Sequence, residues 1–248
     1  MKIAIIGGGN LGSSIAKGLL LKQFISDEDM CVTTRKNCVS NTEAVKNSKY
    51  ILVAVKPYQI KEVLEGLKDH FTQSHVLVST VSGIELKLLK EWTGDKPELF
   101  RAMPNTAIAI GESMTCIAHG KASEKNIVFV KGLFSALGKV IMIDEQLMNA
   151  ATVLAACGTA FAMRYIRANI QAGVQIGFHS KDASLIAAQT IKGACELLLQ
   201  TGTHPEAEID KVATPKGCTI AGLNEMEHEG FSSSLIKGVL TSYNSFPG

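Results

Sequence analysis

Residues 1–12 read MKIAIIGGGNLG, and this stretch decides the fold. A short strand-forming run ends in three glycines, and a fourth glycine follows after two residues. Gly7, Gly9 and Gly12 thus form the pattern G-x-G-x-x-G, with helical periodicity after it. The first glycine permits a tight turn, the second leaves room for a pyrophosphate, and the third lets helix and strand pack closely. The stretch predicts a dinucleotide-binding turn, with a purely structural turn as the alternative.

The chain up to residue 145 alternates short β-branched runs with amphipathic stretches. Helical patterns separate most of these runs, which is the rhythm of βαβ units. We therefore expect an α/β fold, with a mostly parallel sheet in a Rossmann-like dinucleotide-binding domain over residues 1–145. The clearest runs are IAIIG (3–7), YILVAV (50–55), HVLVST (75–80) and KVIMI (139–143).

The remaining residues, 146–248, predict an all-α domain. Alanine, leucine and methionine recur at helical spacing from Leu147, and one helix of more than about six turns is expected up to Gly177. This helix is apolar round most of its circumference, so a second copy of the chain is expected to cover it as a homodimer. Later helices are predicted from a cap at Ser180 to Gly202, from Pro205, and over 219–228 and 231–245.

The second strand is expected to end in CVTTRK, residues 31–36. NAD-binding proteins usually place a carboxylate there to hold the ribose 2′-hydroxyl. Here Thr33, Thr34, Arg35 and Lys36 supply hydroxyls and cations instead, which favours the 2′-phosphate of NADP(H). A solvated basic turn is the alternative interpretation.

Composition and charge exclude several classes of protein. The formal net charge of +2 is spread along the chain without a basic block, which argues against nucleic-acid binding. No basic leader is recognised, and no apolar run is expected to reach the roughly 20 residues of a membrane span. We therefore expect a cytoplasmic protein without a membrane partner. The cysteines lack metal-ligand spacing, so we expect no metal site and reduced thiols at Cys31, Cys38, Cys116, Cys157, Cys195 and Cys218.

Two further groups of segments suggest where ligands bind. VAVKP (53–57), VSG (81–83) and RAMPNT (101–106) end strand-like runs, so they are expected to line the nicotinamide half of the cleft. Later, TPKGCT (214–219) brings backbone N–H groups and a lysine to a helix start. This second pattern suggests a carboxylate or phosphate site, or only a well-capped helix.

Taken in order, these motifs resemble the pyrroline-5-carboxylate reductases, which catalyse the last step of proline biosynthesis. The resemblance runs nearly end to end through GGGNLG, AVKP, RAMPNT, AAQTIKGACELL, THPEAEIDKV and TPKGCTIAGLNEMEHEGF. It implies hydride transfer from NADPH, or from NADH, to a cyclic imine, and a dimer with higher assemblies of dimers. The competing expectations are another NADP-dependent imine or hydroxyacid reductase, or a non-catalytic NADPH sensor.

The resemblance also implies roles for individual residues. Thr219 is expected to be the catalytic residue that hydrogen-bonds the ring nitrogen. Substrate contacts are expected at Thr214, Gly217, Cys218, Thr219 and Asn105. Cofactor contacts are expected at Gly7, Gly8, Gly9, Asn10, Leu11, Gly12, Thr34, Arg35, Asn41, Ala54, Val55, Lys56, Pro57, Ser82 and Gly83.

Three departures from the family pattern bear on these expectations. The family's S-G-P-A is CGTA here (157–160), and its P-G-G is PKG, so Lys216 replaces a glycine. A lysine there is strained if the backbone has positive φ, and otherwise adds favourable charge for a carboxylate. The 35–41 connection is also shorter than the family's, which holds a helix and a short strand.

Overall fold

A seven-stranded sheet forms the first part of the protein. The computed structural model describes residues 2–34 and 39–246. The strand order is β2-β1-β3-β4-β5-β6-β7, and neighbouring strands are parallel except for the antiparallel pair β5 and β6. The strands are β1 (Ile3–Ile6), β2 (Met30–Thr33), β3 (Tyr50–Val53), β4 (Val76–Ser79), β5 (Glu98–Met103), β6 (Ser113–His119) and β7 (Gly138–Met142).

Helices cover both faces of this sheet, and the described chain after β7 contains helices without further strands. Short 3₁₀ turns join several elements, and a π-helical segment spans Thr152–Cys157. The α-helices are α1 (Asn10–Leu21), α2 (Asn41–Lys46), α3 (Ile60–Leu67), α4 (Leu86–Thr93), α5 (Glu124–Ser135), α6 (Met148–Ala151), α7 (Gly158–Gln175), α8 (Ser180–Thr201), α9 (Pro205–Val212), α10 (Cys218–His228) and α11 (Phe231–Asn244).

The sheet has a buried apolar layer on each face, as expected for strands covered on both sides. One layer packs β-strand side chains against α1 and α5, and the other packs them against α2, α3 and α4. All four residues of β1, β3 and β4 are buried. The expected α/β fold is therefore confirmed, and the four predicted β-branched runs are all strands.

Strand β6 was not predicted, because its sequence SMTCIAH mixes polar and apolar residues. Ser113 and Thr115 are nevertheless buried, and their hydroxyl oxygens lie 3.2 Å apart in a hydrogen bond. Paired hydroxyls satisfy each other inside the fold, so polarity alone did not reveal this strand.

The expected long helix after Leu147 is present as a continuous helical stretch, but it contains a π-helical segment that was not predicted. Helix α6 passes into the π-helical turn before α7 begins at Gly158. The Asn105 side-chain amide donates to the Ala155 carbonyl at 3.2 Å, within the π-helical segment. The turn is thus supported by a partner from outside the helix, which the local sequence pattern could not reveal.

The chain divides into two compact units. The first comprises residues up to Cys157, with those from Tyr243 onward, and the second, hereafter the helical unit, is Gly158–Ser242. The boundary expected at residues 145/146 stays a prediction. In the helical unit, Gly202 ends α8 with φ of 66° and Gly177 follows α7 with φ of 114°.

One expected helix cap is wrong. Ser180 is the first residue of α8, and the capping position is His179, which makes no side-chain capping hydrogen bond. The Ser180 carbonyl instead accepts a hydrogen bond from the Ser184 hydroxyl at 2.7 Å. A serine one residue inside a helix takes part in the helical ladder and cannot act as its cap.

One helical stretch is longer and more apolar than the sequence was expected to contain. Glu145–Gln175 is long and apolar enough to cross a bilayer by length and composition, and most of it is not buried within this chain. A core helix of a soluble protein passes the same test, so the finding is weak evidence for a membrane span.

Candidate active site

The glycine turn after β1 has the geometry of a phosphate-binding turn. Gly7 has φ of +109°, and a Cβ there would lie 2.6 Å from the Ala54 carbonyl oxygen. A Cβ on Gly12 would collide with the Gly7 carbonyl. A Cβ on Gly9, in contrast, would meet no described atom within 4 Å. The fold therefore requires Gly7 and Gly12 for its own packing, whereas Gly9 leaves open space for a ligand.

The start of α1 adds the polar groups that such a ligand needs. Gly9 occupies the capping position without a side-chain cap, and the first turn carries no acidic residue. The N–H groups of the first turn have no acceptor within the helix and carry its partial positive charge. Because β1 lies between β2 and β3, this helix start also lies at the crossover point where open α/β sheets bind ligands.

The end of β2 lies beside the glycine turn. The Gly8 N–H donates to the Thr33 carbonyl at 3.0 Å, and a Cβ on Gly8 would collide with the Thr34 methyl group. Asn41 begins α2 after Ser40, whose hydroxyl accepts the Glu43 N–H at 3.1 Å. Thr34 and Asn41 thus precede and follow, in sequence, the segment that is predicted to hold a 2′-phosphate. Arg35 and Lys36, on which that prediction largely rests, lie outside the described residues.

Two more loops follow strands at the same edge of the sheet. Ala54 and Val55 are half-buried after β3, Lys56 is exposed, and Pro57 begins a 3₁₀ turn. The loop Ser82–Gly83 is half-buried after β4, and Gly83 has φ of +75°. Parallel strands end at one edge, so the structure brings these loops to the same side as the glycine turn.

Asn105 has a structural role that the sequence did not reveal. Its side-chain oxygen accepts the Ala107 N–H at 3.0 Å while its amide donates to the Ala155 carbonyl. Its backbone N–H donates to the Ser113 hydroxyl at 3.1 Å. Asn105 therefore ties β5, β6 and the π-helical turn together, and its expected contact with substrate stays a prediction.

The loop before α10 is a tight turn in the helical unit. The Gly217 N–H donates to the Thr214 carbonyl at 2.9 Å, Pro215 follows Thr214, and Lys216 has φ of +61°. This is the pattern of a type II turn, whose third position normally holds glycine. The backbone N–H groups expected here for an anion therefore do not include that of Gly217, because this N–H closes the turn. Cys218 and Thr219 are the first two residues of α10, where N–H groups lack acceptors within the helix.

An ion pair between a buried arginine and a half-buried glutamate near this edge was also missed. Arg101 Nη1 lies 3.1 Å from Glu145 Oε1, and the same oxygen accepts the Leu86 N–H at 2.6 Å. The signal was present in the sequence, since an arginine stands inside the otherwise mostly apolar strand ELFRAM.

Thiol and metal chemistry have no assembled site in the described chain. Within residues 2–34 and 39–246, no three His, Cys, Asp or Glu side chains are grouped to hold a metal ion. Burial, and secondarily the Glu43 carboxylate, raises the pKa of the Cys31 thiol. Burial likewise raises the pKa of the Cys116 thiol. Both therefore stay protonated and poorly nucleophilic near neutral pH.

The sheet, its glycine turn and the helices that follow define an NAD(P)-dependent oxidoreductase with a Rossmann-like domain. Residues 2–83 match the family described as NADP oxidoreductase, coenzyme F420-dependent. Residues 145–246 match the family described as pyrroline-5-carboxylate reductase dimerisation. The apolar stretch at Glu145–Gln175 thus falls in a region typical of a dimer-forming domain.

Similarity over nearly all of the given sequence identifies the family. Pyrroline-5-carboxylate reductase 1 of Dictyostelium discoideum is 44% identical over 97% of this chain, which spans 48% of that relative's length. Pyrroline-5-carboxylate reductase 2 of the same organism is 39% identical, with 97% of this chain and 90% of the relative covered. The NADP-bound crystal structure of the Plasmodium falciparum pyrroline carboxylate reductase matches with a TM-score of 0.92 and 26% identity, covering 98% of this chain and 96% of that one. The chain belongs to the pyrroline-5-carboxylate reductase family.

Proposed function

We propose that this protein reduces 1-pyrroline-5-carboxylate to L-proline, with NADPH as the preferred hydride donor and NADH as the alternative. The observation that carries the proposal is the open space at Gly9, beside the unpaired N–H groups of α1, in a chain of this family. When bound, the dinucleotide supplies the hydride that is added to C5 of the cyclic imine.

The Rossmann-like unit supplies the groups that hold the dinucleotide. The turn from Gly7 to Gly12 presents N–H groups to the pyrophosphate, and Thr34, Arg35 and Asn41 hold the adenosine end. The loops at 54–57 and 82–83 flank the nicotinamide side. Residues at these positions align the reacting groups, and alignment is the main contribution a protein makes to hydride transfer.

The helical unit supplies the groups that hold the substrate. Its carboxylate is bound by the N–H groups of Cys218 and Thr219, with Thr214 adding a hydroxyl and Lys216 a positive charge. Gly217 closes the turn that presents these groups. The Thr219 hydroxyl hydrogen-bonds the ring nitrogen, to which the electron pair of the C=N bond moves. A protonated imine already carries the required proton, so no strong acid is needed in the site.

The partners follow from the same assignment. The chain forms a homodimer and acts on a small molecule. Assembly of dimers into larger particles, a soluble state without membrane attachment and a cytoplasmic location are part of the proposal.

The decisive experiment is to follow NADPH oxidation when pyrroline-5-carboxylate is added to the purified protein, with NADH in parallel. We expect rapid oxidation with NADPH preferred, and L-proline as the product. Thr219→Ala is expected to lower kcat/KM by at least about tenfold. Binding of NADPH without turnover would favour a sensor, and turnover with a different imine or a hydroxyacid would change the substrate.

A further inference from the structure

A buried arginine near the nicotinamide side has no role in the mechanism above. Arg101 lies on β5, where alternation places it on the same face as Leu99, which packs in the layer beneath α4. Only 4% of its side chain is exposed. Its guanidinium contacts the Glu145 carboxylate through Nη1 at 3.1 Å.

Stability alone explains this ion pair poorly. The Arg101 Nε and Nη2 atoms are buried and have no hydrogen-bond partner among the described residues. Buried donors without acceptors destabilise a fold, and burying the Arg101 charge costs hydration that the half-buried Glu145 offsets only in part. The pair is therefore better explained by the geometry it imposes than by the energy it contributes.

Glu145 imposes that geometry on two segments. Its Oε1 atom accepts the Leu86 N–H at 2.6 Å and so caps α4, whose own capping residue Glu85 makes no side-chain hydrogen bond. A carboxylate is also favoured at the positive end of a helix. Helix α4 begins three residues after Gly83, and Glu145 stands at the start of the segment that leads through α6 to the π-helical turn.

We propose that Arg101 and Glu145 are positioning residues for hydride transfer, with Arg101 orienting Glu145 so that it fixes the Ser82–Gly83 loop beside the nicotinamide. The inference rests on the proposed placement of the nicotinamide at this loop. Arg101 does not contact substrate in this role. It acts through Glu145, which acts through the N-terminus of α4.

The first test uses hydrogen–deuterium exchange on the cofactor-free protein. Glu145→Gln removes the charge but keeps the size. We expect a lower Tm, because Arg101 is left buried without its counter-charge, and, well below that Tm, faster exchange of the amides at 82–86. Asp95→Asn is the matched control, because it removes a carboxylate at the other end of α4, where Asp95 pairs with Lys90 in an exposed ion pair. That control should leave the exchange at 82–86 unchanged. Unchanged exchange in Glu145→Gln would overturn the proposal.

The second test separates positioning from folding by kinetics. We expect Glu145→Gln and Arg101→Met to lower kcat by about tenfold per folded active site, with KM for pyrroline-5-carboxylate within about twofold of wild type. The isotope effect with deuterated NADPH should rise, and Arg101→Lys should restore part of kcat. A lower Tm with unchanged kcat per folded site would show a merely structural role and overturn the inference.

The emission of bound NADPH tests the positioning role independently of the proposed substrate. If the wild-type protein binds NADPH but does not reduce pyrroline-5-carboxylate, the proposed substrate is wrong. The emission spectrum of bound NADPH still reports the nicotinamide environment, and we expect it to change in Glu145→Gln but not in Asp95→Asn. An identical spectrum in both variants would count against the positioning role.

Discussion

The two units of this protein differ in how completely each one buries its own apolar residues. The Rossmann-like unit encloses its strands in two apolar layers, with side chains such as Phe100 and Phe134 fully buried. In the described helical unit, in contrast, only Ala183 and Ala187 are buried. Large apolar side chains remain exposed there, including Leu185 at 69% and Leu199 at 70%. The first unit completes its core within one chain, whereas the second requires a partner subunit.

The largest predicted effect comes from weakening the dimer contact that is expected to bury the apolar face of the helical unit. Leu185 projects from α8 away from the buried Ala183 and Ala187, and Ala183 packs against Gly173 of α7. We expect Leu185→Asp to weaken the dimer by about 3–6 kcal/mol, because a symmetric interface loses two buried leucines of about 1.5–3 kcal/mol each. Sedimentation across a range of concentrations, together with activity, measures the effect.

The matched control for this prediction lies in the other unit. Leu21, at the end of α1, is 80% exposed, and Leu21→Asp should leave the dimer and the activity unchanged. Equal effects of the two variants, or none from Leu185→Asp, would contradict the assignment of this face to the dimer.

The next effect tests whether the self-contained unit holds the dinucleotide at its glycine turn. Gly9→Ala should raise the Kd for NADPH by at least about tenfold without lowering Tm, because its Cβ meets no protein atom but fills the space given to the pyrophosphate. Gly12→Ala should lower both affinity and stability, because its Cβ collides with the Gly7 carbonyl. Calorimetric titration with NADPH and thermal unfolding separate the two outcomes.

Gly66→Ala is the control for this pair of substitutions. Gly66 lies within α3, and its Cβ would meet no atom within 4 Å. We expect about 0.5–1 kcal/mol of added stability from the better helix propensity, and no change in NADPH affinity. Unaltered NADPH binding in Gly9→Ala would place the dinucleotide elsewhere.

A smaller effect is expected where a non-glycine residue has positive φ, which occurs once in the helical unit and also in the Rossmann-like unit. Lys216→Gly should stabilise the fold by about 0.5–1 kcal/mol, because φ of 61° disfavours a residue with a side chain. It should also raise KM for pyrroline-5-carboxylate by less than about fivefold, because an exposed charge is partly screened by solvent. Gln23, with φ of 53°, provides the control in the Rossmann-like unit. Gln23→Gly should change stability similarly and leave KM alone, and a matching KM change in both variants would remove Lys216 from substrate binding.

The smallest effect is a pH dependence within the self-contained unit. Desolvation lowers the pKa of His75 from 6.5, although a hydrogen bond to the Val45 backbone opposes the shift. A lowered pKa means that the folded state binds the proton less tightly than the unfolded state. The contribution to stability is therefore present above pH 6.5 and is lost as the pH falls through the folded-state pKa.

Urea unfolding between pH 7.5 and pH 5 measures the contribution of His75 to the pH dependence of the unfolding free energy. His75→Asn should reduce the slope of the unfolding free energy against pH by at most about 1.4 kcal/mol per pH unit. The Asn side-chain oxygen can still accept the Thr72 N–H, which His75 Nδ1 accepts at 2.9 Å. A variant with the wild-type pH dependence would show that His75 is not the titrating group.

Much of the fold could be predicted from the sequence because its signals are local. The G-x-G-x-x-G spacing, the β-branched runs and Pro205 each specify structure within a few residues of themselves. Strand β6, the π-helical turn and the capping position at His179 were missed, because each depends on partners distant in sequence or on a one-residue shift. Asn105 illustrates the limit, since its hydrogen bond to Ala155 spans 50 residues.

The same division applies to the site. The sequence by itself determined the class of fold, the glycine turn and the family. Each of these follows from short runs of consecutive residues and from the order of those runs along the chain. Only the tertiary structure decided that Gly9 faces open space, that Lys216 occupies a left-handed turn position and that Glu145 caps a helix 59 residues away. These features depend on contacts between residues that are distant in sequence, and local sequence patterns do not specify such contacts.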